Sequence, residues 1–353
     1  MAIKRVGLDI GATHVRLAEV EFANKGASET GNGTLVAFAQ VALPRGAVQA
    51  GEVVDVTAVA SAIKQVVADA APSTKDVVIG VGSEGVIVRE IELPELPMTQ
   101  LRSSLPFQVQ EMLPMSTSEA LLDFYPTGQR GEGAQSLLRG IMVAAPKTIV
   151  SQNLLAVEGA GLRPKAVDLN GFALMRAQLT GDLLVKNVAF VDIGARVTTV
   201  VIAQSGMPRL VRTLSNGGQD ATDAVAAALK IDAQEAEEIK RQTGLGQTAN
   251  RELQPAQEAI SATTRSLIES VRNTFVYYAS NNPGEAIEHV VITGGGSHLS
   301  GLGQYLATAS RLPVSYGNSF ARVSIGKKVN ADALKGQDAV VPVAVGLTFG
   351  ETA

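Results

Sequence analysis

The spacing of apolar residues predicts that strands and helices alternate along the whole chain. Val6, Leu8 and Ile10 alternate along the chain before a Gly-Ala-Thr turn, which indicates a β-hairpin over residues 6–20. Further strands are predicted at residues 77–82, 86–93, 121–125, 138–144, 188–193, 198–203 and 290–293. Helices are predicted at residues 56–71, 99–113, 147–160, 300–310 and 339–349, with a helix-rich stretch over residues 219–281.

Capping residues, prolines and glycines set the predicted boundaries of these elements. Asp55 or Thr57 is the expected N-cap of the 56–71 helix, and Gly161 stands where the 147–160 helix should end. Pro106 lacks the N–H that a helix interior uses, so it should kink or split the 99–113 helix. Glycine-rich loops are expected at residues 24–33 and 128–136.

The N-terminal hairpin has a counterpart in the second half of the chain. Residues 7–20 read GLDIGATHVRLAEV, and residues 190–203 read FVDIGARVTTVVIA. Both segments give a strand, an Asp-Ile-Gly-Ala turn and a second strand. The repeat predicts two related halves of similar size with a site between them.

The residue types in the two turns favour phosphate and magnesium as ligands. Glycine lets the backbone turn closely beside a phosphate, and successive N–H groups can cradle its oxygens. The carboxylates of Asp9 and Asp192 suit Mg²⁺, which takes few protein ligands and keeps its waters. An Asp-x-Gly hairpin turn without a ligand is also common, but its repetition favours binding. The other candidate ligands in the turns are Gly11, Ala12, Thr13, Gly194, Ala195 and Thr198.

Two further segments allow both a binding role and a structural one. The run Gly294, Gly295, Gly296 and Ser297 follows a predicted strand and leaves room for a nucleobase or ribose. Its alternative interpretation is a plain turn between a strand and a helix. Glu237 and Lys240 share a helix face, where they either form a surface ion pair or clasp the ribose hydroxyls and the base.

Composition narrows the class of protein. The 353 residues suggest two domains or one bilobed unit, with 46% apolar and 18% charged residues. The net charge of -4 does not favour binding to nucleic acid or anionic lipid, and the absence of cysteine excludes a thiol nucleophile and disulfides. No stretch approaches the roughly 20 apolar residues of a membrane span, and the N-terminus lacks the apolar run of a signal peptide. We therefore expect a cytoplasmic protein.

The two turns, the glycine run and the Glu-x-x-Lys pair together resemble the superfamily of actin, heat-shock chaperones and sugar kinases. Residues 215–222, SNGGQDAT, are similar to the Gly-Gly-x-Asp-x-Thr turn of its bacterial members, which adds Gly217 and Gly218 to the candidate ligands. The resemblance implies an α/β, actin-like fold with two lobes, which is a ribonuclease H-like duplication. It also implies that the ligands are ATP or ADP with Mg²⁺.

Residues 86–125 resemble, more narrowly, the PilM family of type IV pilus assembly proteins. They share the order of a strand, Pro-x-x-Pro, a helix and a strand carrying Asp, in an inserted subdomain also found in the cell-division protein FtsA. The resemblance implies an ATP-binding cytoplasmic scaffold, held at the inner membrane by a short cytoplasmic peptide of a PilN-like partner. A homo-oligomer is left open. The implied divisions are a first lobe (1–85), the insert (86–167), a return to the first lobe (168–187), a second lobe (188–338) and a C-terminal helix (339–353).

Departures from the superfamily pattern bear on catalysis. Active members carry Gln or Glu between the insert and the second turn, whereas residues 167–172 contain neither, so hydrolysis should be slow at most. Asp168 either serves in that role or caps the following helix. The second turn also has Arg196 and Val197 where the superfamily often has Gly or an acidic residue and then Ser or Thr.

Two other functions of the same superfamily stay open. A sugar-type kinase would need a catalytic Asp beside the acceptor hydroxyl, for which Asp168 is again the candidate. An FtsA-like membrane tether would need a C-terminal amphipathic helix, which residues 349–353 are not expected to form.

The helix predicted in the insert carries a wide apolar stripe, which also has two interpretations. It either packs on the insert's own strands or borders a groove that takes an extended peptide. The stripe consists of Leu101, Leu105, Val109, Met112 and Leu113.

Overall fold

Two mixed sheets with the same connectivity form the centre of the molecule. This computed structural model describes residues 2–131, 136–246 and 250–350. The first sheet contains β1 (Ile3–Ile10), β2 (His14–Phe22), β3 (Gly33–Ala42), β6 (Asp76–Val81), β10 (Arg163–Leu169) and β16 (Val323–Ile325). The second contains β11 (Asn187–Ile193), β12 (Thr198–Gln204), β13 (Met207–Leu214), β14 (His289–Thr293) and β15 (Val314–Tyr316).

Strand order and direction make the two sheets equivalent. The first runs β10-β6-β1-β2-β3-β16 and the second runs β15-β14-β11-β12-β13. In each, an antiparallel hairpin carries the Asp-Ile-Gly-Ala turn, a parallel strand lies beside its first strand, and a third antiparallel strand lies beside its second. The duplication predicted from the repeat is therefore present in the strand topology.

Helices cover the faces of both sheets. They are α1 (Ala27–Thr30), α2 (Val56–Ala70), α3 (Met98–Val109), α4 (Lys147–Gly159), α5 (Asn170–Gln178), α6 (Gly218–Leu229), α7 (Ala233–Thr243), α8 (Gln254–Asn281), α9 (Leu302–Ser310) and α10 (Pro342–Gly346). The Asp55 carboxylate accepts a hydrogen bond from the Ala58 N–H, which makes it the N-cap of α2. None of the helices in the described part of the chain combines the length and apolarity of a membrane crossing.

A small third sheet forms the insert. It contains β7 (Ile87–Pro94), β9 (Leu137–Pro146) and β8 (Ala120–Arg130), in that order across the sheet. A separate pair of two-residue strands, β4 (Val48–Gln49) and β5 (Glu52–Val53), lies in the first lobe. One face of the insert sheet is covered by α3, whose Leu101, Leu105 and Val109 are buried among residues of β7, β8 and β9. Four of the five stripe residues, with the partly buried Leu113 as the fourth, therefore pack on the insert's own strands, whereas Met112 is 40% exposed.

The predicted insert, residues 86–167, includes more than this sheet. Helix α4 packs on α2, and β10 pairs in parallel with β6, so both belong with the first-lobe sheet. Strand β16 likewise pairs with β3 of the first sheet, although it lies within the range predicted for the second lobe.

Several boundaries differ from the sequence prediction for physical reasons. Helix α3 continues through Pro106, which lies on its half-buried side, and ends in a 3₁₀ turn at Gln110–Met112. Strand β8 extends into the predicted 128–136 loop as far as Arg130, whereas β9 begins at Leu137, directly after it. Residues 132–135 of this loop lie outside the described residues. The predicted 24–33 loop contains the short helix α1, whose Ala27 N–H is bound by Asn24.

The predicted helix over residues 339–349 shortens to the five residues of α10. Pro342 has no N–H and so suits the first turn of a helix. After Gly346 the chain makes tighter i→i+3 bonds, from Phe349 N–H to the Gly346 carbonyl for example. Helix α10 crosses α5 so closely that a Cβ on Gly346 would lie 1.8 Å from the Ala173 carbonyl oxygen.

The α5–α10 crossing yields a stability prediction. Gly346→Ala should lower the free energy of unfolding by about 3 kcal/mol, because the added Cβ meets main chain that cannot rotate away. Denaturant titration of the variant and the parent would measure the difference. Gly128→Ala is the control, since nothing lies within 4 Å of a Cβ built there. Equal stability of the two variants would contradict the prediction.

Candidate functional site

The two Asp-Ile-Gly-Ala turns open into one cavity between the sheets. The cavity has a volume of about 890 Å³ and reaches into both lobes. Most of the predicted ligands line it, namely Asp9, Gly11, Ala12, Thr13, Asp192, Gly194, Ala195, Gly217, Gly218, Glu237, Lys240, Gly294, Gly295 and Gly296. The topology thus brings residues from five separate parts of the chain to one cleft.

Three predicted site residues do not line the cleft. Thr198 donates its hydroxyl hydrogen bond to the Asn216 carbonyl at 2.7 Å, and Ser297 donates to the Gly294 carbonyl at 2.7 Å, so both hold neighbouring turns in place. Asp168 accepts from the Leu169 N–H at 2.7 Å and pairs with Arg176 of α5. Its carboxylate is therefore engaged in an ion pair and does not face the cleft.

The two turns have the same backbone geometry. Gly11 N–H donates to the His14 carbonyl at 3.0 Å, and Gly194 N–H donates to the Val197 carbonyl at 2.9 Å. A Cβ on Gly194 would lie 2.8 Å from that carbonyl oxygen, so the turn requires glycine there. The residues between these hydrogen bonds line the cleft in both turns, and successive N–H groups in such turns can bind anions.

The carboxylates of Asp9 and Asp192, near the ends of β1 and β11, lie where burial disfavours their charged forms. Burial raises the pKa of Asp9, although Arg16, 3.5 Å away, offsets part of the shift. Burial raises the pKa of Asp192 to about 6, where a hydrogen bond from Thr293 opposes the rise and the nearby charge of Asp9 adds to it. In the described part of the chain, no group of three or more His, Asp or Glu side chains is placed to hold a metal. A cation here would therefore be shared between two carboxylates and non-protein ligands.

Glu237 and Lys240 form a structural clasp at the edge of the cleft. The Lys240 ammonium lies 2.6 Å from the Glu237 carboxylate and donates to the Gly218 carbonyl at 3.0 Å and to Thr222 at 2.9 Å. Burial opposes ionisation of Glu237, but hydrogen bonds from Lys240 and Thr222 outweigh it and lower its pKa. The pair therefore lines the cleft and fixes the Gly217–Gly218 turn at the same time.

The run of glycines after β14 passes so close to the end of β11 that two of its positions have no room for a Cβ atom. Gly294 has a φ of +82°, and a Cβ there would lie 2.3 Å from the Ile193 carbonyl oxygen. A Cβ on Gly296 would lie 2.4 Å from the Ile193 side chain, whereas nothing lies within 4 Å at Gly295. Close packing thus brings the run beside the second turn, and Gly295 leaves open space in the cleft.

Some cleft residues carry no recognisable sequence signal. Arg16 follows ordinary strand alternation on β2, yet its guanidinium reaches Asp9. Asn170 lies at the start of α5, and its Oδ1 is buried without a hydrogen-bond partner. Gly80 and Gly82 make room for this amide, since a Cβ on Gly80 would lie 2.0 Å from Oδ1. A buried, unpartnered oxygen at the cleft wall is suited to bind a water or ligand.

At the mouth of the cleft, one ion pair joins the two lobes and shares a carboxylate with a second pair within the second lobe. Arg45, after β3, lies 2.9 Å from Asp223 of α6. Arg196 of the second turn lies 2.7 Å from the same carboxylate and 3.5 Å from Asp220. The side chain of Arg196 is thereby held on acidic partners of α6.

Comparisons with family models and with solved structures agree on one family. A family model described as type IV pilus assembly protein PilM matches residues 7–351. The solved PilM–PilN type IV pilus biogenesis complex is 27% identical, with a TM-score of 0.81 over 98% of this chain and 98% of that chain. MreB5 of Spiroplasma citri bound to ADP is 12% identical, with a TM-score of 0.55 over 97% of this chain and 94% of that chain. These likenesses confirm the predicted actin-like fold.

A curated relative extends the same likeness. Cell division protein FtsA of Bacillus subtilis (strain 168) is 22% identical over 263 residues, which are 68% of this chain and 58% of the relative. The match therefore spans little more than half of that relative's length.

The raised pKa of Asp192 predicts how stability depends on pH. In an unfolded chain the pKa of an Asp carboxyl is near 4. Between about pH 4 and about pH 6 the folded protein therefore binds more protons than the unfolded chain does. As a result, the free energy of unfolding falls as the pH rises through this window. Asp192→Asn removes the ionisation and keeps an oxygen for the Thr293 hydroxyl. At pH 7, without divalent cations, the variant should be more stable than the parent by up to about 3 kcal/mol.

Denaturant titrations at pH 4 and pH 7 in EDTA would measure this difference. Asp182→Asn, which changes an exposed carboxylate before β11, is the control. If Asp192→Asn were less stable than the parent at pH 7, the raised pKa of Asp192 would be contradicted.

Proposed function

This chain belongs to the PilM family of type IV pilus assembly proteins, and from that premise we propose that it is a nucleotide-binding scaffold that holds the cytoplasmic peptide of a PilN-like membrane protein. The observation that carries the proposal is the pair of equivalent turns facing one cleft. The likeness to the solved PilM–PilN complex supports a PilN-like protein as the partner. The scaffold would lie at the inner membrane through this partner.

The cleft suits a nucleoside triphosphate with Mg²⁺. The N–H groups of the first turn (residues 11–13) and the second turn (residues 194–196) would bind phosphate oxygens from opposite sides. Arg16 adds a guanidinium beside Asp9. The open space at Gly295 and the clasp of Glu237 with Lys240 would border the nucleoside. MreB5, which shares the fold, has been solved with ADP, and this supports a nucleotide as the ligand.

The donors present fit a magnesium ion. Asp9 and Asp192 supply two carboxylates, and Mg²⁺ commonly takes one or two together with waters and phosphate oxygens. Burial raises the pKa of both carboxylates, and a cation between them would favour their charged forms. The ion would neutralise both carboxylates and the phosphates that the turns hold.

We expect hydrolysis to be slow at most. An attacking water needs a residue that orients it and takes up its proton. Within the described residues, the acidic side chains lining the cleft are Asp9, Asp192 and Glu237, which the proposal assigns to the cation and the nucleoside. Asn170 offers an amide oxygen that can orient a water but cannot accept its proton.

The partner peptide would dock on the insert face that α3 leaves uncovered. Leu121 and Tyr125 of β8 expose 46% and 44% of their area there, and the Tyr125 ring lies 5.4 Å from Phe172 of α5. The outer edge of β8 is poorly suited to adding a strand, because the Phe124 N–H is bound by its neighbour Asp123 and Pro126 has no N–H. Side-chain burial between the insert and the first lobe is therefore the favoured mode.

The nucleotide site yields a binding prediction. Asp9→Ala and Asp192→Ala should each weaken Mg-ATP binding at least tenfold, or about 1.4 kcal/mol, because each removes a carboxylate that would hold the ion. Calorimetry with magnesium would measure the affinities. In EDTA the deficit should shrink, since the lost group acts through the cation. Asp182→Ala is the control, and unchanged affinity in both cleft variants would refute the nucleotide site.

The docking face yields a second prediction. Tyr125→Ser should weaken binding of the PilN-like cytoplasmic peptide about tenfold, because it removes an aromatic ring at the centre of the proposed interface. Fluorescence anisotropy with the labelled peptide would measure the change. Phe107→Ser removes an aromatic that is 81% exposed on α3, the opposite side of the insert, and should leave binding unchanged. The reverse pattern would move the docking site to α3.

A further inference from the structure

A second, smaller cavity adjoins the cleft beside the first turn. It has a volume of about 380 Å³, and its walls come mainly from that turn and from residues 43–50, which follow β3. Among the described residues, its lining includes two arginines and no carboxylate. Residues that line both cavities mark the junction between them, and they are Ala12, Thr13, Arg45, Arg196 and Gln219. An anionic group at this junction therefore meets positively charged side chains.

Arg196 reaches the junction from within the second turn. It is the last residue of the segment, 194–196, whose N–H groups the proposed function assigns to phosphate oxygens, so its side chain begins beside them. Its guanidinium lies 2.7 Å from the carboxylate of Asp223 and 3.5 Å from that of Asp220, both on α6. The superfamily often has Gly or an acidic residue at this position, and neither would supply a cation. The turn of this chain therefore carries a positive charge that the superfamily pattern does not require.

The ion pairs that hold Arg196 on α6 are accessible to water. The side chain of Arg196 is 36% exposed, and those of Asp220 and Asp223 are 35% and 39% exposed. Ion pairs in such a setting contribute little to stability, because water and salt screen them. A competing anion can therefore draw the guanidinium away at a small cost in free energy.

Both carboxylates keep other partners when Arg196 leaves. Asp223 accepts a hydrogen bond from Gln219 at 3.1 Å and lies 2.9 Å from Arg45. Burial opposes ionisation of Asp223, but hydrogen bonds, with that from Gln219 foremost, outweigh it and lower its pKa. Asp220 accepts from the Gly217 N–H at 2.8 Å. Departure of the guanidinium thus leaves neither charge without a partner.

The terminal phosphate of a nucleotide is the group that suits this junction. A guanidinium can donate two parallel hydrogen bonds to two oxygens of one phosphate. The first residues of α6, Gly218 and Gln219, line the cleft beside it and add the positive end of the helix dipole. Among the described residues, Glu237, Lys240 and Gly295, which would border the nucleoside, line the larger cavity alone. The phosphate nearest the side cavity is therefore the one farthest from the nucleoside.

We propose that Arg196 turns from Asp223 onto the terminal phosphate of a bound nucleoside triphosphate, and that this contact makes the protein prefer the triphosphate to the diphosphate. This inference rests on the proposed function, whose ligand it specifies. A diphosphate lacks the group that would replace Asp223, so with ADP the guanidinium stays on α6. Arg45 remains on Asp223 in both cases and keeps the two lobes joined at the mouth of the cleft. Inorganic phosphate has the same chemistry as the terminal phosphate, so the test includes it.

The test measures the Kd of ADP and of a non-hydrolysable ATP analogue by calorimetry, using the full chain in magnesium. In the parent the analogue should bind at least about tenfold more tightly than ADP, because hydrogen bonds between charged groups are strong. In Arg196→Met this ratio of affinities should fall about tenfold while the Kd of ADP stays unchanged, since only the triphosphate loses a contact. Arg212→Met is the matched control, because it removes an exposed arginine of β13, outside both cavities, and should keep the parent ratio.

A further variant separates contact with phosphate from a structural role of the ion pair. Asp223→Asn weakens the resting partner of Arg196, so its ratio should be at least that of the parent. A ratio that falls in Asp223→Asn as it does in Arg196→Met would show that the pair itself matters, and would overturn the proposal. Should Arg196→Met not fold, Arg196→Lys must lower the ratio, because lysine keeps the charge without the two parallel hydrogen bonds. An unchanged ratio in Arg196→Lys would then refute the contact.

Inorganic phosphate, titrated onto the complex with ADP and magnesium, tests the other source of the same group. If Arg196→Met loses both phosphate binding and the triphosphate preference, one position takes both groups and the proposal holds. If it loses phosphate binding alone, the site belongs to free phosphate and the preference does not depend on Arg196. If neither nucleotide binds the parent, the proposed function fails and this inference fails with it. Equal affinity of the parent for the two nucleotides would refute this inference alone.

Discussion

Two carboxylates that face one cleft, the buried Asp9 and the half-buried Asp192, are the constraint on which the rest of the site depends. Each stands near the end of a central strand covered on both faces, so the sheet geometry carries it into the cleft between the lobes. Burial makes both charges costly, and Arg16 offsets only part of that cost. A cation with phosphates would neutralise the pair and touch both lobes at once. Ligand binding and lobe arrangement are therefore a single equilibrium.

The sequence repeat is enough to predict the duplicated fold, because the same turn between alternating apolar strands recurs with the same neighbours in both sheets. Cleft side chains that belong to no glycine motif and no repeated position are harder to predict from the sequence. Arg16 alternates as any strand residue does, and its role depends on the register that puts it opposite Asp9. Asn170 gains its buried setting from Gly80 and Gly82, which lie far away in the sequence and adjacent in the sheet.

The insert shows what periodicity cannot decide. A stripe at helical spacing establishes that one face of α3 is buried, but not what covers it. Phe124 and Met142 of the insert's own strands complete that core with Leu101, so nothing remains there for a partner. The face away from α3 carries the exposed apolar residues Leu121 and Tyr125, and Tyr125 meets Phe172 of the first lobe there. Only the pairing of β8 with β9 and the packing on α5 reveal that second face.

The contacts between the lobes differ in strength along the cleft, and this determines where it can open. At the mouth, the Arg45–Asp223 pair is 61% and 39% exposed, and such pairs contribute about 0–1 kcal/mol. At the insert, Arg209 is 7% exposed and shared between the carboxylates of Glu90 and Glu285, which are 23% and 30% exposed, so solvent and salt screen this contact less than the pair at the mouth. Opening should therefore begin at the mouth, with the insert side and the close α5–α10 crossing as the pivot.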